Sequence, residues 1–159
     1  MNAQQLLQNS GHETLLELQK KTIEAFSEHE HLSVIAKTGS GKTLAFLLAA
    51  SNFLRSDVNH VQQLIIVPTR ELAIQITDVF KSLGTGLKVT VCYGGHNSQD
   101  ERNSLEQTPA IVIGTPGRLL DHLENNHLNV SKCGTVIIDE FDKSLEFGFE
   151  KDMAKIRAF

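Results

Sequence analysis

The chain has 159 residues, 40 % of them hydrophobic, with a formal charge of −4 and no Trp. That is one domain's worth of sequence, long enough to bury roughly two-thirds of its unfolded surface. The acidic balance argues against a broad basic face for nucleic acid, while leaving room for backbone binding by a few residues and main-chain amides.

Cys92 and Cys133 are too few for a disulfide framework or a zinc site. They point to a reducing compartment, with a single bridge left open. The longest apolar run near the phosphate-loop motif described below, Leu44 to Ala50, is far short of a membrane span. Met-Asn-Ala-Gln-Gln at the start lacks the basic and apolar segments of a signal peptide. A cytoplasmic protein without a membrane partner is expected. Neither His29 with His31 nor His122 with His127 has the spacing of helical metal ligands, so these histidines read as solvated surface groups.

Helical patterns at 3–9 and 14–28 open the chain, the second with Leu15, Leu18, Thr22, Ile23 and Phe26 on one face. Leu32 to Ala36 predicts a buried strand and 42–54 a helix. Between them, Ala36-Lys37-Thr38-Gly39-Ser40-Gly41-Lys42-Thr43 has the spacing of a phosphate cradle, with Ala36 where the general pattern begins with Gly. Glycines let such a loop turn successive N–H groups toward one anion, and the helix N-terminus adds its own donors. Lys42 would reach the β and γ phosphates, and the Thr43 hydroxyl would ligate Mg²⁺.

Strand-like runs follow at 63–67, 87–92, 110–113 and 135–138, with helical patterns at 70–82, about 98–105 and 117–124. Short runs apolar on both faces suit a mainly parallel sheet, which needs right-handed helical crossovers. The expected class is α/β, doubly wound, with helices on both faces and the active edge at the strand C-termini. Gly84-Thr85-Gly86 and Gly94-Gly95 read as loops. The helical pattern from Phe149 to Phe159 stops without a cap or a following strand, so a domain cut short at its C-terminal end is expected.

Val136-Ile137-Ile138-Asp139-Glu140 places two carboxylates at a strand end. Asp139 can hold Mg²⁺ facing Thr43, and Glu140 can orient and deprotonate an attacking water. The alternative is a helix N-terminus attracting acidic residues, with Asp142 as cap. Paired with the cradle, the carboxylates read as the other half of an ATP site.

These segments together resemble the DEAD-box family of ATP-dependent RNA helicases, specifically the first RecA-like domain. Ala36 to Thr43 is similar to that family's cradle, which tolerates Ala at its first position. Pro68-Thr69-Arg70-Glu71-Leu72-Ala73, Gly94-Gly95 and Thr115-Pro116-Gly117-Arg118 follow in the family's order, and Asp139-Glu140-Phe141-Asp142 stands where the family has Asp-Glu-Ala-Asp. Gln19, eight residues after Gly11, fits the adenine-recognition motif. The neighbouring prolines of that motif are replaced by Leu15 and Glu17, and His12 sits where an aromatic often follows the glycine.

The resemblance implies Mg²⁺ and ATP as ligands and RNA as the macromolecular partner. RNA would be held through sugar and phosphate by Pro68, Thr69, Arg70, Gly94, Gly95, Thr115, Pro116, Gly117 and Arg118, with slight sequence specificity. With roughly five phosphate contacts, single-strand affinity would fall with salt at a log–log slope near −3.5. Thr115 would cap the helix beginning at Pro116. Asp142 would couple nucleotide state to a Ser-Ala-Thr motif that this chain lacks. Phe141 is expected to pack into the sheet–helix interface and leave hydrolysis intact.

The resemblance further implies a second RecA-like domain supplying arginine fingers. Residues 1–159 alone are expected to be monomeric, to bind nucleotide weakly, and neither to unwind RNA nor to turn over ATP appreciably. Rival readings are a DNA helicase or translocase of the same superfamily, an ATP-gated RNA clamp or scaffold, and an unrelated P-loop kinase or GTPase.

Overall fold

Four runs of β-branched and apolar residues pair into one sheet: β1 (Gln63–Ile66), β2 (Val89–Cys92), β3 (Ile111–Gly114) and β4 (Thr135–Ile138). The computed structural model describes residues 2–37, 39–95 and 97–159. The strand order is β2-β3-β1-β4, and every pair is parallel. The helices are α1 (Ala3–Asn9), α2 (Glu17–Glu28), α3 (Lys42–Ser51), α4 (Arg70–Ser82), α5 (Ser98–Glu106), α6 (Pro116–Glu124), α7 (Phe141–Glu146) and α8 (Glu150–Ile156). This is the expected α/β class, in two compact units.

The unit made of Met1–Arg55 with Asp78–Gly86 is helical. In it α3 packs on α1 and α2. Leu44, Ala45 and Leu47 to Ser51 are buried, as expected of a helix apolar nearly all round. Asn9 Nδ2 donates to the Leu83 carbonyl at 2.8 Å, tying α1 to the turn that ends α4. The strand expected at 32–36 is not formed. Among the described residues no strand precedes Gln63, and Leu32 and Ile35 are 40 % and 95 % exposed. Apolar composition says what a segment can bury; a strand also needs a ladder partner.

The other unit, Ser56–Thr77 with Leu87–Phe159, contains the sheet. Leu64, Ile66, Cys92 and Val112 on one face meet Leu105 of α5, Leu119 and Leu123 of α6 and Ile156 of α8. Ile65, Ile111 and Ile113, which alternate with them, are fully buried as well, so the central strands are covered on both faces. Strand β4 differs. Its Val136 and Ile138 stand in register with Leu64 and Ile66 yet are 57 % and 40 % exposed.

Among the glycines of this unit, Gly114 has the least room for a side chain. A methyl group there would lie 2.4 Å from the Cys92 carbonyl oxygen and 2.9 Å from Leu119 Cδ2. Only a residue without Cβ lets β2, β3 and α6 close this far.

Candidate functional site

The cradle is described by its own unit, save Thr38, which lies outside the described residues. Gly39 and Gly41 take positive φ (78° and 84°), and Gly41 serves as the N-cap of α3 with no side-chain cap. The N-terminal amides of α3 are thus left for a ligand of the loop. Space beside Gly39 is open, and the Ser40 hydroxyl is buried without a partner. Lys42 Nζ donates to the carbonyls of Ala36 (2.6 Å) and Lys37 (2.9 Å), folding its ammonium back over the loop. Thr43 is half-buried in the first turn of α3. Open space, orphan donors, a cation and a hard hydroxyl oxygen fit a Mg²⁺-bound phosphate.

Gln19 does reach the cradle. It is only 3 % exposed, and its Nε2 lies 3.0 Å from where a Cβ on Gly41 would stand. Its Oε1 accepts the Leu16 N–H at 2.9 Å, closing the first turn of α2. The amide therefore has a fixed orientation, with Nε2 toward the loop.

The remaining predicted residues gather at the sheet. The strand C-terminal residues align, Cys92 with Gly114, Gly114 with Ile66 and Ile66 with Ile138. The ladder continues one residue further through Val67, Thr115 and Asp139, whose N–H groups donate to the carbonyls of Gly114, Cys92 and Ile66 at 3.0 Å. Each strand then releases one motif. Across the edge these are Gly94-Gly95, Thr115-Pro116-Gly117-Arg118, Pro68-Thr69-Arg70 and Asp139-Glu140. A parallel sheet puts ligand-binding loops at this edge.

Pro68 is buried, and the Thr69 hydroxyl accepts the Leu72 N–H at 3.2 Å, capping α4. Arg70 is exposed and pairs with Glu71 at 3.2 Å, yet its Nη1 lies 3.9 Å from the Cβ position of Gly95. The structure thus brings Arg70 and Gly95 together. Gly94 and Gly95 are exposed, with open space beside Gly94. Pro116 begins α6 as expected, but Thr115 caps it only with its backbone. Its carbonyl accepts the Leu119 N–H at 3.0 Å and its hydroxyl makes no capping bond. Gly117 is exposed, 3.6 Å (from its Cβ position) from a carboxylate oxygen of Asp152.

Arg118 turns inward, its side chain 17 % exposed. Its Nε donates to the Tyr93 carbonyl at 3.2 Å and lies 3.3 Å from Glu101 Oε2. Glu101, missed by the sequence reading, is 3 % exposed; its Oε1 accepts the Tyr93 N–H at 2.9 Å and its Oε2 lies 2.6 Å from His122 Nε2. His122 is fully buried, which corrects its reading as a solvated histidine. Helical spacing carried the signal: Glu101 lies one turn before Leu105, and His122 three residues after Leu119, both buried leucines.

Cys92, Glu101 and His122 offer ligand atoms within 4.8 Å of one another. Burial, with Glu101's negative charge, pushes the Cys92 thiol up against the opposing pull of Arg118, so it stays protonated. With Arg118 against the same carboxylate, the group is arranged for hydrogen bonding rather than for a cation. Both cysteines are free.

At β4, Asp139 and Glu140 are half-buried, and Asp139 Oδ1 accepts the Glu140 N–H at 3.0 Å. Glu140 adopts a left-handed conformation (φ 49°, ψ 50°), unusual for a residue other than glycine, and caps α7. Its Oε2 holds Lys143 Nζ at 2.8 Å. Asp142 is exposed in the first turn of α7, and the N-cap position that the alternative reading gave it is held by Glu140. Phe141 is 52 % exposed and does not pack into the sheet–helix interface as expected. The buried residue of α7 is Ser144, and Phe141 sits a turn earlier, at the helix's open end.

Comparison with known proteins bears on the whole chain. The model of the DEAD/DEAH box helicase family matches residues 16–159. The ATP-dependent RNA helicase DeaD of Klebsiella pneumoniae is 37 % identical over 155 residues, 96 % of this chain and 24 % of that protein. The ATP-dependent RNA helicase CshA of Listeria monocytogenes is 40 % identical over 148 residues, 92 % and 28 %. A crystal structure of a hypothetical ATP-dependent RNA helicase from Sulfolobus tokodaii superposes with a TM-score of 0.86 at 33 % identity, over 99 % of this chain and 46 % of that one. The chain thus spans about a quarter of the length of these curated relatives. It belongs to the DEAD/DEAH box helicase family.

Proposed function

We propose that this chain is the N-terminal ATP-binding part of an ATP-dependent RNA helicase. The observation that carries the reading is the aligned sheet edge, where four parallel strands end together and each releases one family motif. Such an edge can grip a sugar–phosphate backbone without reading bases. Arg70 and the amides around Gly94, Gly95 and Thr115 to Gly117 supply phosphate donors. Arg118 shapes the turn from inside.

In the nucleotide chemistry, the cradle from Ala36 to Thr43 surrounds the phosphates with N–H groups. Lys42 leaves its two loop carbonyls to meet the β and γ oxygens. Gln19 turns Nε2 toward the adenine edge. Thr43 and Asp139 would hold Mg²⁺, which when bound neutralises phosphate charge and orients the oxygens. Glu140 accepts a proton from the attacking water once Lys143 releases it. Asp142 relays nucleotide state to a second RecA-like domain. Two free cysteines accord with work in the cytoplasm.

The test is ATPase activity of the full-length protein with single-stranded RNA, with the matching DNA, and with neither. Stimulation by RNA well above DNA is expected; equal stimulation would make the protein a general translocase. Strand separation that survives Glu140→Gln would instead favour an ATP-gated clamp.

A further inference from the structure

Among the described residues Glu101 is the only carboxylate that is buried, and it stands where two proposed RNA segments meet. We propose that Glu101 is a positioning residue for RNA binding, fixing the backbone that leads into Gly94-Gly95 and the guanidinium of Arg118 together. The inference rests on the reading of those segments as RNA contacts.

The bonds form a closed ring. Glu101 Oε1 takes the Tyr93 N–H at 2.9 Å, while Arg118 Nε donates to the carbonyl of the same residue at 3.2 Å. Arg118 Nε and Glu101 Oε2, 3.3 Å apart, complete it. One residue, Tyr93, is thus held at both its backbone groups immediately before the glycine doublet. Its conformation sets where Gly94 and Gly95 present their amides. His122 Nε2, at 2.6 Å from Oε2, anchors the carboxylate to α6, the helix that carries Arg118.

The chemistry favours a charge here. A carboxylate accepts on both oxygens and balances Arg118; an amide of the same shape accepts on one oxygen only, turns a donor toward the other partners and carries no charge. The pair is buried, so salt screens it little, whereas exposed arginines meeting phosphate directly are screened strongly. A glycine doublet and an arginine held in one geometry lose less entropy on meeting RNA than free ones.

The test uses the full-length protein, with RNA-stimulated ATPase and binding of a fluorescent single-stranded RNA over a salt series. Glu101→Gln is expected to raise the KM for RNA about tenfold while leaving the KM for ATP unchanged. Its log–log salt slope should be shallower by about 0.7 for each phosphate that the variant no longer neutralises. Adding Arg118→Ala to Glu101→Gln should cost no more than the larger single effect, since both break one ring. Should Glu101→Gln not fold, Glu101→Asp keeps the charge on a stem too short for both Tyr93 and Arg118, and the same RNA defect is expected.

Additive losses, or an RNA KM unmoved by Glu101→Gln or Glu101→Asp while Arg118→Ala raises it, would overturn the inference and leave the RNA reading standing. Unchanged RNA binding in Arg118→Ala would overturn the RNA reading of that turn and this inference with it.

Discussion

The two ends of one sheet edge are built differently. Where β2 and β3 finish, the side chains of Glu101, His122 and Arg118 are almost entirely out of water and bonded to backbone and to one another. Where β4 finishes, Val136, Ile138 and Phe141 are 40–57 % exposed, and Glu140 is held by Lys143, itself half-exposed. A buried carboxylate keeps its partners because losing one leaves an uncompensated charge, at a cost of about 3–5 kcal/mol. An exposed ion pair exchanges its partner for water with little penalty. The first end is suited to presenting a fixed surface, and the second to a residue that must change partners during a reaction.

Breaking the exposed end should have the largest effect on activity and almost none on stability. Glu140→Gln in the full-length protein is expected to lower RNA-stimulated ATP turnover by about 10²–10⁴-fold. ATP affinity and the thermal midpoint should stay near wild type, the latter because Gln can still accept from Lys143. Turnover within a few-fold of wild type would remove Glu140 from the chemistry.

Breaking the buried end should show the reverse. Gly114→Ala drives a methyl group to within 2.4 Å of a backbone carbonyl, which a side-chain rotation cannot relieve. Overpacking of this kind costs about 1–3 kcal/mol. Urea denaturation measures it, and a neutral result would mean that β2 and β3 separate more easily than the bonded network suggests.

The four paired strands were legible because short runs apolar on both faces have few uses other than a covered parallel sheet. The edge followed from them, since parallel strands all end on the same side. Leu32 to Ala36 was misread by the same rule, because composition cannot name a ladder partner. Glu101 and His122 were hidden by their chemistry. A charged residue and a histidine suggest water, although their spacing from Leu105 and Leu119 points inward. Gly114 was silent because a glycine in a strand acquires meaning only from the atoms beside it.

Cys92 reports on the buried end without mutation. Its thiol is pushed up by burial first and by Glu101 second, against Arg118. The native state therefore keeps a proton that the unfolded chain gives up from about pH 8.5. The stability tied to this thiol is complete below that pH and is lost as pH rises above it. Native protein at pH 8 should resist iodoacetamide at Cys92 and react after denaturation, as read by mass spectrometry. Rapid native labelling would mean that the β2–α6 packing opens.

Lys143 and Phe141 provide the smallest effects, and they sharpen the contrast most. The hydrogen bond that Lys143 donates to Glu140, and then the carboxylate's charge, raise the Lys143 ammonium above its ordinary value. The pair is therefore present below the unfolded lysine value, about 10.4, and is lost only as pH rises through the higher folded one. Stability should show no step from Lys143 between about pH 6 and 9, and Lys143→Ala should leave the thermal midpoint essentially unchanged. Phe141→Ala removes a ring that is half in water, so it forfeits about half of a buried phenylalanine's 1.5–3 kcal/mol. With Glu140 already in a left-handed conformation that the next residue must accommodate, RNA-stimulated ATPase tells whether the ring matters to the chemistry. Little change is expected from an overhanging side chain. A large rise would mean that Phe141 restrains Glu140, making the exposed end a brake rather than a free-moving base.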